Sequence, residues 1–429
     1  MVWSNWAREQ RCAPERIERP QSEDELCEVV AGAGRVKAVG SGHSFTDIAC
    51  TDGVMVDLSR MNRVLDADGE LVRVQAGISI ADCARQLAER GLALENQGDI
   101  DKQSLAGAVA TATHGTGARF RNLSAQVEGM RLVIASGEVR ELQGDELLAG
   151  RVSLGALGVI SELTLRCVPG FTIHRIDEPR PLAEALDGLQ AAVDDNDHFE
   201  LFVFPYADRA LTLTSERTGR DPEPRPDWRR RLEDRFENGA LGLATSLSRM
   251  APRLAPATNR TITRLMSRKV RVDLSHRVYA HERNVRFTEM EYAIPRAHTR
   301  EALERVLHMV EQRRLAVNFP IEVRFAAGDE AFLSTAHGRE TGYIAVHVSH
   351  GCEFETYFRA VERIMDDYEG RPHWGKRHYQ TSATLRSRYA DWDRFAAVRA
   401  RLDPEGVFAN PYVERVLGPA SGVGAAMPA

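Results

Sequence analysis

Apolar and polar positions along this chain repeat with two different periods, and the switches between them mark its elements. Residues 22–33 begin with Ser22-Glu23-Asp24-Glu25 and continue with apolar positions at helical spacing. Serine three residues before Glu25 is a capping-box signal. A short apolar run over 35–40 reads as a strand, a glycine-rich loop follows over 40–47, and 54–58 reads as a second strand. Residues 63–65 and 71–76 flank Asp68-Gly69, the dipeptide of a tight hairpin. Residues 80–90 are amphipathic at helical period and end at Gly91. Residues 153–165 read as a glycine-punctuated turn leading into a strand. The pattern predicts an α+β domain of short strands over residues 1–170, not a regular βαβ array.

From residue 171 the pattern changes. Residues 198–205 and 210–214 read as a strand pair opening a second domain, expected to run to about residue 370. Three prolines among many charges make 217–231 an exposed excursion. Residues 240–270 combine leucines, isoleucine and methionines with arginines, interrupted at Pro252 and Pro256. A solvated pair of helices is the expectation there; a peripheral membrane contact or an oligomer face is the alternative. Strict alternation returns at 320–325 and 343–349. It places Glu322 with Arg324 on one face of a strand, and His347 with Ser349 on one face of another. Two strands that each put paired polar groups on one face suit a polyhydroxyl ligand. A cross-strand ion pair and a structural histidine are the plain alternatives. Residues 371–429 are expected to return to the first domain.

Composition narrows the class. The chain has 429 residues, 28% charged and 43% hydrophobic, with a formal charge of −6. That describes a soluble protein and argues against general nucleic-acid binding. No apolar run is long enough to span a bilayer, and residues 1–10 lack the features of a signal peptide, so the cytoplasm is the expected location, with membrane association kept as the alternative. Six scattered cysteines without a CxxC pair fit reduced thiols, and no metal site is read. Of 56 basic residues only Lys37, Lys102, Lys269 and Lys376 are lysine. In so arginine-rich a chain each lysine is a candidate for being needed as lysine.

Three stretches carry candidate chemistry. In Val39-Gly40-Ser41-Gly42-His43-Ser44-Phe45-Thr46-Asp47, two glycines within three residues let the backbone turn and point successive N–H groups at an anion. An ordinary glycine-rich turn would read alike. No GxxxxGK[ST] occurs, and Phe45 stands where a third Rossmann glycine would fall, so a dinucleotide here calls for another fold. Between Gly98 and Gly117, small residues from 104 onward let a backbone lie against a flat ligand. Ser104, Thr111 and Thr113 offer hydroxyls and His114 a ring; a small-residue helix packed on a sheet is the plainer account. In the third stretch, backbone groups at Gly158 and Ile160 could meet a planar ring edge; ordinary strand initiation would look alike.

In order and spacing, SGHSFTD, SLAGAVATATHGTG and SLGALGVISELTL resemble the vanillyl-alcohol oxidase type of FAD-dependent oxidoreductases. Within that type they are most similar to the sugar-1,4-lactone oxidases and dehydrogenases and to the alditol oxidases. The resemblance implies an α+β fold: a two-subdomain PCMH-type FAD-binding domain, and a cap domain with an antiparallel sheet flanked by helices. It implies FAD held by Val39, Gly40, Ser41, Gly42, His43, Ser44, Phe45, Gly98, Ser104, Gly107, Ala108, Thr111, Thr113, His114, Gly115, Gly158 and Ile160. In that family the histidine of the first loop is commonly bonded to the isoalloxazine ring, which would be His43 here. Glu322-x-Arg324 and His347-x-Ser349 match the family's substrate strands, with Ser104 and Lys376 completing the implied substrate contacts. His373-Trp374-Gly375-Lys376 resembles the C-terminal motif whose lysine approaches the flavin.

The implied reaction is hydride transfer from a secondary alcohol of an aldono-1,4-lactone to flavin N5, giving an ascorbate-like product. Arg324 would polarise substrate oxygens, Glu322 or the rival His347 would take the proton, and Lys376 would stabilise reduced flavin. Oxygen or a dye, quinone or cytochrome would reoxidise the cofactor. An alditol (xylitol or sorbitol) oxidase is the enzyme alternative, and a flavin-binding sensor the non-enzyme one.

Overall fold

The computed structural model describes residues 2–223, 252–280 and 285–420. Helix Glu23–Ala31 begins as the pattern predicts: the Ser22 hydroxyl accepts the Glu25 N–H. The reciprocal half of the box differs, because the Glu25 carboxylate takes the N–H of Gln21 at 2.8 Å. Strands Arg16–Glu18, Val54–Asp57 and Val36–Val39 form a small parallel sheet in that order. Strands Val64–Asp68 and Leu71–Gln75 form the predicted hairpin around Gly69, whose φ of +58° is the left-handed turn conformation that glycine adopts freely. The hairpin continues into a five-stranded antiparallel sheet through Val159–Arg166, Val127–Val133 and Val139–Glu141.

The second body is an eight-stranded sheet among the described residues. Its spatial order is Lys269–Leu274, Thr172–Pro181, Arg209–Thr218, His198–Val203, Ile321–Ala326, Thr341–Ser349, Phe287–Pro295 and Arg371–Pro372. The neighbouring pairs are antiparallel. One face is apolar: Ile321, Val323, Phe325, Ile344, Val346, Met290 and Tyr292 pack under helices Thr299–Gln312 and Glu355–Asp366. Period-two alternation therefore sends the intervening residues, among them Glu322, Arg324, Glu289, Glu291 and His347, to the opposite face. That face is turned toward the first domain, where Gly117 bridges Ala326 and the Gly117 N–H donates to Phe325 O at 2.8 Å.

The C-terminal stretch packs into the first domain's core through Trp374, Leu385, Tyr389, Trp392, Phe395, Tyr412 and Val413. Asn410 Nδ2 donates to the carbonyls of Asp47, Ile48 and Cys50, tying this return to the glycine-rich loop. Ala331, Phe332 and Leu333, inside the 171–370 span, join the same core, so the cap also contributes a short plug to it.

Of the 240–270 run, residues 240–251 lie outside the described residues. The rest is one short 3-10 turn, helix Ala255–Leu265, which carries Pro256 in its first turn and Asn259 and Thr263 buried against the cap, and the first residues of strand Lys269–Leu274. Most of the 217–231 excursion also lies outside them, although Arg217 and Thr218 still belong to a strand. Among the described residues no helix is long and apolar enough to cross a membrane.

Candidate active site

Two cavities meet where the domains face each other. The larger, about 370 Å³, is lined by Val39, Gly40, Ser41, Gly42, His43 and Ser44, by Ser104, Gly107, Ala108 and Thr111, and by Gly158 and Ile160. The three sequence stretches thus converge on one cavity. The smaller, about 60 Å³, is lined by Asp99, Glu289, Glu322, Arg324, His373 and Lys376 together with Trp6, Phe45, Gly98, Thr113, His114 and Phe287. His43, Ser44, Gln103 and Thr111 line both.

Local geometry shows why these residue types stand here. A Cβ on Gly40 would fall 2.0 Å from Ser104 Oγ and one on Gly107 2.9 Å from it, so the loop and the first turn of helix Leu105–Ala110 touch only because both positions are glycine. Ala112, at φ +57°, turns the chain after that helix in a conformation that costs a non-glycine residue about 1–2 kcal/mol. It delivers Thr113 and His114 to the cavity edge. The His114 ring stacks on Tyr343 with centroids 3.5 Å apart. The glycine-rich loop is held from outside by residues 5–10. Trp6 N–H donates to Gly42 O, Asn5 Nδ2 to Ser44 O and Gln10 Nε2 to Phe45 O, and the Trp6 ring stacks on His43.

The small cavity is an ion network built on cross-strand register. Glu289 pairs opposite His347, and Ala345 lies between Glu291 and Glu322 on the two flanking strands. Lys376 Nζ lies 2.5 Å from Glu289 and 2.8 Å from Glu291. Glu291 also meets His114 Nε2 at 3.3 Å, and Glu289 meets His347 Nε2 at 3.2 Å. Arg324 pairs with Glu322, with Glu200, and with Asp99 at 3.2 Å. Burial alone would raise the carboxyl of Glu289, but Lys376 and His347 bring it down to about 2; Glu291 is likewise held well below the usual range. Burial works against the Lys376 ammonium, and its two carboxylates outweigh that and raise its pKa. Burial, aided by Lys376, pushes His373 down to about 3, and its Nδ1 accepts the Gly375 N–H. Burial also lowers His43, keeping its ring neutral.

Several expected residues stand elsewhere. Gly115 lines neither cavity; a Cβ there would meet Gln97 O at 2.4 Å, so its glycine serves packing. Ser104 faces the larger cavity, not the polar one. His347 stands one layer behind Glu322, 3.9 Å away, and Ser349 lies farther back against Asn318. Conversely, Asp99, Glu200, Glu289, Glu291, His373 and Trp6 escaped the sequence reading as site groups. Glu289-Met290-Glu291 carried the same period-two signal as Glu322-x-Arg324.

A model of D-arabinono-1,4-lactone oxidases matches residues 163–416, and one of FAD-binding domains matches residues 14–143. The chain belongs to the D-arabinono-1,4-lactone oxidase family. It is 60% identical over 425 residues to L-gulono-1,4-lactone dehydrogenase of Mycobacterium tuberculosis, covering 97% of this chain and 99% of that one. It is 36% identical to L-gulonolactone oxidase of Bos taurus, with 96% and 98% covered. To an alditol oxidase of Streptomyces sp. it is 32% identical, again with 96% and 98% covered. A solved cholesterol oxidase of B. sterolicum superposes with a TM-score of 0.79 over 97% of this chain and 96% of that chain; at 16% identity this shows the fold alone. As a family member with a FAD-binding domain, the protein is a FAD-dependent oxidoreductase. The larger cavity fits that cofactor: glycines, serines and alanines of the 40–44 and 104–108 stretches supply much of its lining, and so leave backbone groups open to a ligand. Where the two cavities approach, the buried Thr113 Oγ1 has no hydrogen-bond partner among the described residues.

Proposed function

We propose that the protein oxidises a secondary ring alcohol of L-gulono-1,4-lactone, or of a closely similar aldono-1,4-lactone, to an ascorbate-like product. The observation that carries this reading is the junction of the two cavities at His43, Ser44, Gln103 and Thr111. There a cavity with the FAD-binding motifs opens onto a polar pocket lined by Glu322, Arg324 and Lys376. Bound FAD supplies the two-electron acceptor that the step requires. Arg324, fixed by three carboxylates, orients the substrate oxygens through charge-assisted hydrogen bonds. Glu322 lines the pocket and takes the hydroxyl proton. His347 stands behind Glu322 and off the pocket wall, with Nδ1 3.1 Å from Pro320 O and Nε2 3.2 Å from Glu289, so it is Glu322 and not His347 that meets the substrate hydroxyl. Lys376 keeps a fixed positive charge where negative charge develops. His43, neutral and stacked on Trp6, is the attachment point for a covalent flavin.

Anaerobic titration with a panel of lactones and open-chain polyols tests the reading. Bleaching of the flavin by L-gulono-1,4-lactone is expected, and bleaching by xylitol or sorbitol alone would replace it with the alditol oxidase reading. Readmitting oxygen, then a quinone or cytochrome, identifies the acceptor. Acid precipitation of the wild type should leave the yellow colour in the pellet, and that of His43→Ala should leave it in the supernatant.

A further inference from the structure

We propose that Asp99 makes this site selective for charge, admitting the electroneutral, ring-closed lactone and refusing its open-chain aldonate anion. The inference rests on the lactone reading above. Hydrolysis of a sugar lactone splits the ring ester into one carboxylate and one new hydroxyl and leaves the other hydroxyls in place, so hydroxyl pattern alone discriminates poorly between the two forms. A pocket containing a lysine and an arginine would ordinarily attract that carboxylate, and the arginine fork would grip it in bidentate fashion.

Here both cations are already covered. Lys376 sits between Glu289 and Glu291, and Arg324 is met by Glu322, Glu200 and Asp99. Five carboxylates surround two permanent cations, so the pocket stays net negative even with His114 and His347 both charged. Glu322 and Glu200 are 3% and 11% exposed at the side chain, whereas Asp99 is 16% exposed. Of Arg324's three carboxylates, Asp99 and Glu322 line the pocket, and only Asp99 arrives from the FAD-binding side, in the Gly98-Asp99-Ile100 loop. An entering ligand that sought the Arg324 fork would have to displace it. A neutral lactone need only hydrogen-bond to it.

The test uses holoenzyme. Flavin difference spectra are titrated with L-gulonate, and the inhibition constant of L-gulonate is measured against lactone turnover, for wild type, Asp99→Asn and Asp101→Asn. Asparagine keeps the shape and an acceptor for Arg324 but removes the charge. Expected is an affinity for L-gulonate that rises about tenfold relative to any change in the lactone KM in Asp99→Asn, the effect of one like charge removed at close range. Asp101→Asn, which lines neither cavity, should match wild type. If lactone bleaches the flavin but Asp99→Asn binds L-gulonate no more tightly than wild type does, the charge filter is overturned. An equal gain in Asp101→Asn overturns it too, since the effect would then be general surface charge. If no lactone bleaches the wild-type flavin, the lactone reading falls and takes this inference with it.

Discussion

Lys376 is the residue on which the small cavity's electrostatics turn, because its ammonium is the foremost of the charges that keep Glu289 and Glu291 ionised against burial. Lys376→Met should slow anaerobic flavin reduction by about 100-fold or more, read by stopped-flow bleaching with lactone, since a pre-placed charge beside developing negative charge is worth several kcal/mol. Glu289 gives a pH signature. Its folded pKa of about 2 lies below the ordinary 4.5, so its contribution to stability is full above about pH 4.5 and is lost as the pH falls toward 2. Glu289→Gln should therefore remove about 3 kcal/mol at neutral pH and flatten the acid limb of a denaturation series. An unchanged acid limb would show that the carboxylate is not carrying that ion network. Glu322-x-Arg324 was legible in the sequence because alternation alone puts both on one face. Asp99 and Glu200 were not legible, since each reaches Arg324 from another element and nothing in the neighbouring residues marks that contact.

At the scale of elements, the glycine-rich loop and helix Leu105–Ala110 form one interlocked unit. Gly40→Ala should lower the flavin-to-protein absorbance ratio of purified protein several-fold, because the new methyl would occupy the position of Ser104 Oγ. The double variant Gly40→Ala/Ser104→Gly should recover much of that ratio; failure to recover would place the damage in backbone conformation and not in the clash. Helix starts, hairpins and strand faces were readable from the pattern, since each depends on residues within one or two turns of each other. The strand order of the cap sheet was not. Its central strands come from residues 198–203, 321–326, 341–349 and 287–295, a mixing of early and late chain that no local period encodes.

Across the whole molecule, Lys37 joins three distant stretches. Its ammonium donates to Leu154 O, Gly155 O and Phe408 O at 3.1–3.2 Å, pinning the C-terminal return and the 153–158 turn onto a strand of the first domain. Burial, with Arg399 nearby, lowers its pKa to about 7 from 10.5, against the pull of Asp403. Between those values the unfolded chain binds the extra proton, so Lys37's titration makes stability rise with pH from about 7 to 10.5. Lys37→Met should abolish that slope and expose the C-terminal stretch to limited proteolysis, with a loss of about 1–3 kcal/mol for the three carbonyls left unpaired. An unchanged slope and an intact C-terminus would assign the fastening of the return to Asn410 instead. By itself the sequence determined the α+β class, the three small-residue stretches that line the larger cavity, the paired polar strand faces and the suspicion attached to each lysine. Those properties follow from spacing along the chain and from residue chemistry. Only the tertiary structure decided that Glu322 and not His347 lines the pocket, that Glu289 and Glu291 hold Lys376, and that Asp99 crosses from one domain to the other domain's arginine. Those are contacts between residues far apart in sequence, set by how the two domains' faces are packed together.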